Sequence, residues 1–128
     1  MNDLIFQTLA GDEALSGMLG KICTADKAQT EIPAVFYGFS NTWDVAPSIS
    51  YFLTECSDAG FADDVCVTSK LVYQLDIFAD NARIDAVAER TDKLLRQIGF
   101  FRRNITEVPE TNGRHKSLVY YTYTEERI

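Results

Sequence analysis

The chain predicts an α+β fold, a single domain with a mainly antiparallel sheet and helices packed on it, in the order helix, strands, helix, two strands. Three observations carry this. From Val67 to Ala79 the residues alternate with the period of two of a half-buried strand. Val67, Ser69, Leu71, Tyr73, Leu75, Ile77 and Ala79 share one face, and Thr68, Lys70, Val72, Gln74, Asp76 and Phe78 share the other. From Ile84 the period lengthens: Ile84, Val87, Ala88, Leu94, Leu95 and Ile98 fall at helical spacing, with charged residues off that stripe. Asn112-Gly113, between two further apolar runs, is a hairpin signal, because both residues tolerate the positive φ of a tight turn.

In chain order, Leu4, Ile5, Thr8 and Leu9 have helical spacing up to Ala10-Gly11. Asp12 can then cap a second turn carrying Ala14, Leu15, Met18 and Leu19, with Gly20 at its end. Ala25 to Glu31 is polar and reads as a connection to a short strand, Ala34 to Phe39. A loop through Asn41-Thr42-Trp43-Asp44 reaches Pro47, which marks the start of a strand over Ile49 to Glu55. Ser57 to Asp64, with Gly60 and three aspartates, reads as an exposed hairpin connection into the long strand. Asp80 or Asn81 can cap the helix from Ile84, and Gly99 can close it. Phe100 to Val108 and His115 to Thr124 complete the sheet as two strands.

Composition bounds the function classes. With 128 residues, 46% hydrophobic and 24% charged, the chain can bury a core without staples and is not of a disordered composition. A net charge of −7 and a pI near 4.6 oppose attraction to nucleic acid or anionic lipid, which leaves proteins as the expected partners. No apolar run is long enough to span a bilayer, and Met1-Asn2-Asp3 lacks the basic start of a signal peptide, so the chain reads as soluble and intracellular. Cys23, Cys56 and Cys66 make an odd count without a C-x-x-C pair and read as small buried hydrophobes.

No motif marks an enzyme. There is no glycine-rich phosphate loop, G-x-S-x-G or H-E-x-x-H, so no catalytic residue, metal ligand or cofactor is expected. His115 has no ligand or triad pattern around it. Asp76, a carboxylate in mid-strand, reads as solvated or paired across strands. Asp58, Asp63 and Asp64 lack the spacing of a calcium loop and read as a solvated loop. Only a spatial meeting of Asp76 with His115 would admit a small hydrolase.

Surplus aromatic surface is the remaining signal. On the last strand Leu118 and Tyr120 share one face, and Val119, Tyr121 and Tyr123 share the other. One helix covers one face of a small sheet. The second face therefore needs the N-terminal helix, a partner subunit, or exposure of its tyrosines to water. Trp43 and Phe61, in predicted loops, are either tucked under them or presented to another protein. Arg102-Arg103 is the one compact basic pair, either a solvated strand edge or a patch for an acidic neighbour.

The series Pro47-Ser48-Ile49-Ser50-Tyr51, Ala62-Asp63-Asp64, Tyr73-Gln74-Leu75-Asp76-Ile77-Phe78, Ile98-Gly99-Phe100-Phe101-Arg102 and His115-Lys116-Ser117-Leu118 resembles the small tail completion, or tail terminator, proteins of long-tailed bacteriophages and prophages. The resemblance extends to the opening helix and its Asp12-Glu13-Ala14-Leu15 turn, while Cys23 to Trp43 departs from it. It implies no catalysis and a hexameric ring of identical copies at the head-proximal end of the tail. The implied partners are the tail tube protein and the head-connector protein. The implied locations are the host bacterial cytoplasm during assembly and then the virion tail. The candidate interface residues are Trp43, Asp58, Phe61, Asp63, Asp64, Arg102, Arg103, Tyr121 and Tyr123. The alternative is a small-ligand-binding or regulatory module in which the face carrying Tyr73 and Tyr120 forms a pocket.

Overall fold

The computed structural model describes residues 1–23, 31–38, 46–62, 65–110 and 113–124. Two short helices open the chain, α1 (Asn2–Ala10) and α2 (Glu13–Met18). Asp12 caps α2: its carboxylate accepts from the Leu15 N–H at 2.9 Å, satisfying a donor the helix cannot pair itself. The same carboxylate holds the Arg90 guanidinium through bonds of 2.9 and 2.7 Å. The cap thereby also ties α2 to the long helix α3 (Ile84–Gln97). Leu19 is already extended, so α2 stops at Met18, two residues before Gly20.

The main sheet has the order β3-β4-β5-β7-β6. Its strands are β3 (Val35–Tyr37), β4 (Ser48–Ala62), β5 (Val65–Ala79), β6 (Phe101–Glu110) and β7 (Gly113–Thr124). Every pairing is antiparallel except that of β3 with β4. A separate antiparallel pair, β1 (Lys21–Cys23) with β2 (Glu31–Pro33), precedes it. Strands of three residues are too short to carry a period, and the expected connection, Ala25 to Glu31, places Glu31 inside β2 while residues 25–30 lie outside the described residues. The strand expected over Ala34 to Phe39 is shorter, because the chain leaves it at Gly38 with φ +86°.

The larger correction concerns Ser57 to Asp64. β4 does not stop at Glu55 for an exposed connection but stays paired with β5 as far as Ala62 opposite Val65. The residues that read as turn chemistry, Asp58 and Gly60, fall at register shifts in the ladder, where β-bulges accept the same residue types as turns do. Cys56 is a free and exposed thiol on this hairpin, contrary to the buried reading, and it pairs in register with Leu71, whereas Cys66 pairs with Phe61. The Cys23 and Cys66 side chains lie outside the described ones.

The helix signals hold, and β6 and β7 pair as an antiparallel hairpin; Gly113 already belongs to β7, and Asn112 of the expected turn lies outside the described residues. Before α3 the Asp80 carboxylate accepts from the Arg83 N–H at 2.9 Å, so Asp80 prepares the entry although Arg83 occupies the cap position. At the other end Gly99 sits at φ +96°. The Phe100 N–H reaches the Leu95 carbonyl at 3.0 Å and the Gly99 N–H that of Arg96 at 3.2 Å, the paired bonds of a left-handed helix closure. This closure drops Phe100 into the core against Tyr73, ring centroids 5.9 Å apart. Gly113 begins β7 at φ +147°, where a Cβ would lie 2.4 Å from the Ala79 carbonyl oxygen.

All three helices pack on one face of the main sheet. Ile5 and Leu9 of α1, Leu15 of α2 and Val87, Leu94 and Leu95 of α3 form one cluster with Ile49, Leu71, Leu75, Ile77 and Leu118. Tyr73 and Tyr120 are opposite one another in the β5–β7 ladder and fully buried. The Tyr73 hydroxyl donates to the Asn2 side chain of α1, and the Tyr120 hydroxyl donates to Asp92 of α3 at 2.6 Å.

Two carboxylates link this packing to pH. The Arg90 guanidinium holds the Asp12 carboxyl below its ordinary range, with help from the Leu15 N–H. Burial pushes Asp92 up, but the Tyr120 hydroxyl and Arg96 outweigh it and the net displacement is downward. A carboxyl lowered by folding contributes stability above its unfolded value, about 3.9, and loses it as pH falls toward the lower folded value. Denaturation midpoints are therefore expected to drop below about pH 4, and Asp12→Asn or Asp92→Asn to be less stable at neutral pH with a shallower acid loss, measured by urea titration across pH.

Candidate functional site

The helices leave the second face of the main sheet without a described helix. The N-terminal helix does not take that face, as one of the readings required; α1 and α2 join α3 on the first. The strand register lays out this second face in rows: Val72, itself buried, with Tyr121 and Phe101 across β5, β7 and β6; Lys70 and Tyr123 beside them; Phe78, His115 and Val108 toward the far end. Phe101 and Tyr121 stack with centroids 5.6 Å apart, Tyr121 meets Tyr123 edge-on at 6.0 Å, and the Lys70 ammonium stands 5.2 Å from the Tyr121 centroid. Phe101 and Tyr123 are 53% and 52% exposed. Exposed aromatic rings in contact with one another and with a cation form a patch of the composition that protein interfaces favour.

Between these rows lies a polar cluster. Asp76 is buried, and its Oδ1 is 3.0 Å from the Gln74 amide nitrogen and 3.2 Å from His115 Nε2. The imidazole stacks on Phe78 at 4.3 Å. The expected cross-strand pairing of Asp76 is thus found, with His115 as its partner and without the solvation that was the other reading. The two residues thus meet, the condition on which a small-hydrolase reading depended, and equal parity on neighbouring strands is the signal that could have found the pair. The cluster joins β5 to β7.

The other candidates divide into three groups. Tyr121 and Tyr123 belong to the aromatic patch. Arg102 turns to the helix face, with its guanidinium 3.7 Å from Asp92, and Arg103 is exposed at the register shift in β6. The basic pair is therefore split by a bulge that sends its members into different surroundings. Asp58 is exposed on β4, Phe61 is inside that strand instead of a loop, and Trp43, Asp63 and Asp64 lie outside the described residues. Beyond Ser69, the first β5 residue paired with β7 among the described residues, the β4–β5 hairpin continues to Val65, roughly 13 Å further. Lys70, Phe101 and Val108 were missed, because each looks like an ordinary strand residue until its neighbours are known.

Of the clefts on the helix side, two border residues of the sheet. One, of about 360 Å³, opens at the start of α1 and is lined by Met1, Asn2, Asp3, Leu53, Leu71 and Tyr73. The other, about 180 Å³, lies between α3 and the β6–β7 edge, with Asp85, Asp92, Arg102 and Lys116 around it. Neither is lined by Asp76 or His115. The face that the alternative reading would open as a pocket is packed: Tyr120 is sealed under α3, and only the Tyr73 end borders the first cleft. Burial pushes the Tyr73 hydroxyl up to about 12, with the neighbouring Tyr37 and Tyr51 adding to it. Among the described residues no three His, Cys, Asp or Glu side chains converge on a point that could hold a metal ion. No helix among them is long and apolar enough to cross a membrane.

The fold and surface define a small α+β domain with an aromatic sheet face and a long β4–β5 hairpin. No known family model matches the chain, and no curated protein matches it in sequence.

The Asp76 cluster generates a direct test. Asp76→Ala removes the acceptor of the Gln74 amide and the carboxylate beside His115, and is expected to cost about 1–3 kcal/mol in urea unfolding. In a cycle with His115→Ala the double variant should lose less than the sum of the two, by at least about 0.5 kcal/mol.

Proposed function

We propose that the chain is a structural subunit of a long-tailed phage virion that ends the tail tube, joins tail to head, or both, as one copy in a hexameric ring. The observation that carries this reading is the sheet face left without a described helix, with Phe101, Tyr121 and Tyr123 gathered beside Lys70. A monomer that exposes stacked aromatics has surface to spare for other proteins. The ordered resemblance along the chain supplies the partners: further copies, the tail tube protein and the head-connector protein. The far end of the β4–β5 hairpin supports it too, since a long hairpin with no further described strand beside it can reach a neighbouring subunit or the tube. The acidic charge fits protein partners and not nucleic acid or membrane. On this reading the chain catalyses nothing and works in the host cytoplasm and in the finished tail.

The cleft beside Asn2 and Tyr73 is what favours the second reading, a small-ligand or regulatory module. Stabilisation by a ligand in a thermal-shift screen, growing with ligand excess, would support it.

Electron microscopy of an induced lysate lacking only this chain decides between them. Separate heads and unjoined tails, some of abnormal length, are expected, with joining restored by the purified protein. Intact virions with normal tails would end the tail reading. A variant with residues 59–68 replaced by Asn-Gly, so that Asp58 and Ser69 close a short hairpin, is expected to keep its melting temperature and fail to restore joining.

A further inference from the structure

We propose that the outer edge of β4, from Leu53 to Asp58, takes up a short extended segment of a partner protein in which apolar and basic side chains alternate. The proposal goes beyond the tail reading and does not depend on it.

The hydrogen bonds of β4 leave this edge open. On its outer side β4 pairs with β3 only from Ile49 to Tyr51. There the Ile49 N–H donates to the Ala34 carbonyl at 2.9 Å, and the Tyr51 carbonyl accepts from the Gly38 N–H at 2.9 Å. Every second residue of a strand turns its N–H and C=O to the same side, so Leu53 turns outward next. Past the register shift that takes up Thr54, Cys56 and Asp58 do the same, opposite Leu71 and Ser69 of β5. Among the described residues no strand lies beside β4 there. Open donors and acceptors in a row are the template for strand addition, in which the backbone supplies affinity and alternate side chains supply specificity. The register shifts on either side of this stretch limit it to a short segment and keep a longer ladder from growing.

The two faces beside the edge differ. On the helix face, Leu53 leads into the 360 Å³ cleft walled by Leu71 and the Tyr73 ring. Met1 and Asp3 bring opposite charges to its rim, so the cleft selects an apolar side chain and not a charge. On the second face Glu55, opposite Val72, is exposed. With Asp58, also exposed, it supplies the only charge on β4 between Ser48 and Asp58. Lys70, opposite Ser57, stands over the Tyr121 ring, on the β7 side and away from this edge. An added strand therefore has apolar residues on one face and basic residues on the other.

The probe is the blocked hexapeptide acetyl-KVKLKV-amide, titrated into the isotope-labelled full chain and followed by amide NMR. Saturable shifts and slowed exchange are expected at the amides of Leu53 to Asp58. Glu55→Lys and Asp58→Lys, with melting temperatures unchanged, should each weaken binding by roughly two- to fivefold, and added salt should weaken it in the wild type. Acetyl-EVELEV-amide should not bind. N-methylation of either all the lysines or all the apolar residues should abolish binding while the other set leaves it intact, because only one set turns its backbone toward β4: the apolar set in antiparallel addition, the lysines in parallel addition. No saturable shift at these amides at millimolar peptide, equal binding of the acidic peptide, or binding by both N-methylated sets would overturn the proposal. Binding as expected by a chain whose loss leaves tails normal would end the tail reading alone.

Discussion

Two buried tyrosine hydroxyls organise this molecule. Tyr73 and Tyr120 face one another across the β5–β7 ladder, each with its ring in the core. A buried hydroxyl without a partner costs about 1–3 kcal/mol, so each ring needs a polar group delivered over the same face of the sheet. Asn2 at the start of α1 supplies one, and Asp92 in the middle of α3 supplies the other. The two helices are thereby fixed side by side, and Asp12 with Arg90 fastens α2 into the same layer. Asp92 carries more than the tyrosine, because Arg96 and Arg102 also converge on it; burial disfavours its charge, and these neighbours restore it.

The cost of this arrangement falls on the other face. Three helices on one side leave no described helix for the second, where the alternation of β5 and β7 has placed Val72, Tyr121 and Tyr123. Part of that face is managed internally, since the Gln74 amide donates to Asp76, His115 Nε2 lies 3.2 Å from the same carboxylate, and Phe78 covers the imidazole. The half nearer β6 has no such arrangement, and there Phe101 and Tyr123 meet solvent. A surface of this kind is consistent with selection for contact and not for the solubility of a lone monomer.

Local signals in the sequence were legible, and non-local ones were not. The parity of β5, the stripe of α3, the cap at Asp12 and the closure at Gly99 each depend on residues a few positions apart, and each is realised. The Tyr121–Tyr123 face was legible for the same reason. Gly60 and Asp58 misled because a bulge and a turn draw on the same residues, and only the partner strand tells them apart. Which face the helices choose is not a local property: Tyr73 and Tyr120 carry no mark that says where Asn2 and Asp92 will be. The meeting of Asp76 with His115, and of Lys70 with Tyr121, likewise depends on β7 lying beside β5, an order that no single segment encodes.

The edges of the sheet narrow how copies can meet. A long unprotected edge strand invites another strand to pair with it. Here β3 offers only three residues, and β6, though ten residues long, is broken by the register shift at Arg103, carries Arg102 and Glu107, and loses one donor at Pro109. Both terminal strands are thus poor templates for strand addition, the route that leads to open-ended aggregation. The longer edge is that of β4 beyond Tyr51, where β3 no longer pairs with it among the described residues; there the register shifts around Leu53 and Asp58 break the strand's regularity. Side-chain contacts, unlike a repeating backbone ladder, can set the fixed rotation between neighbours that a closed assembly requires.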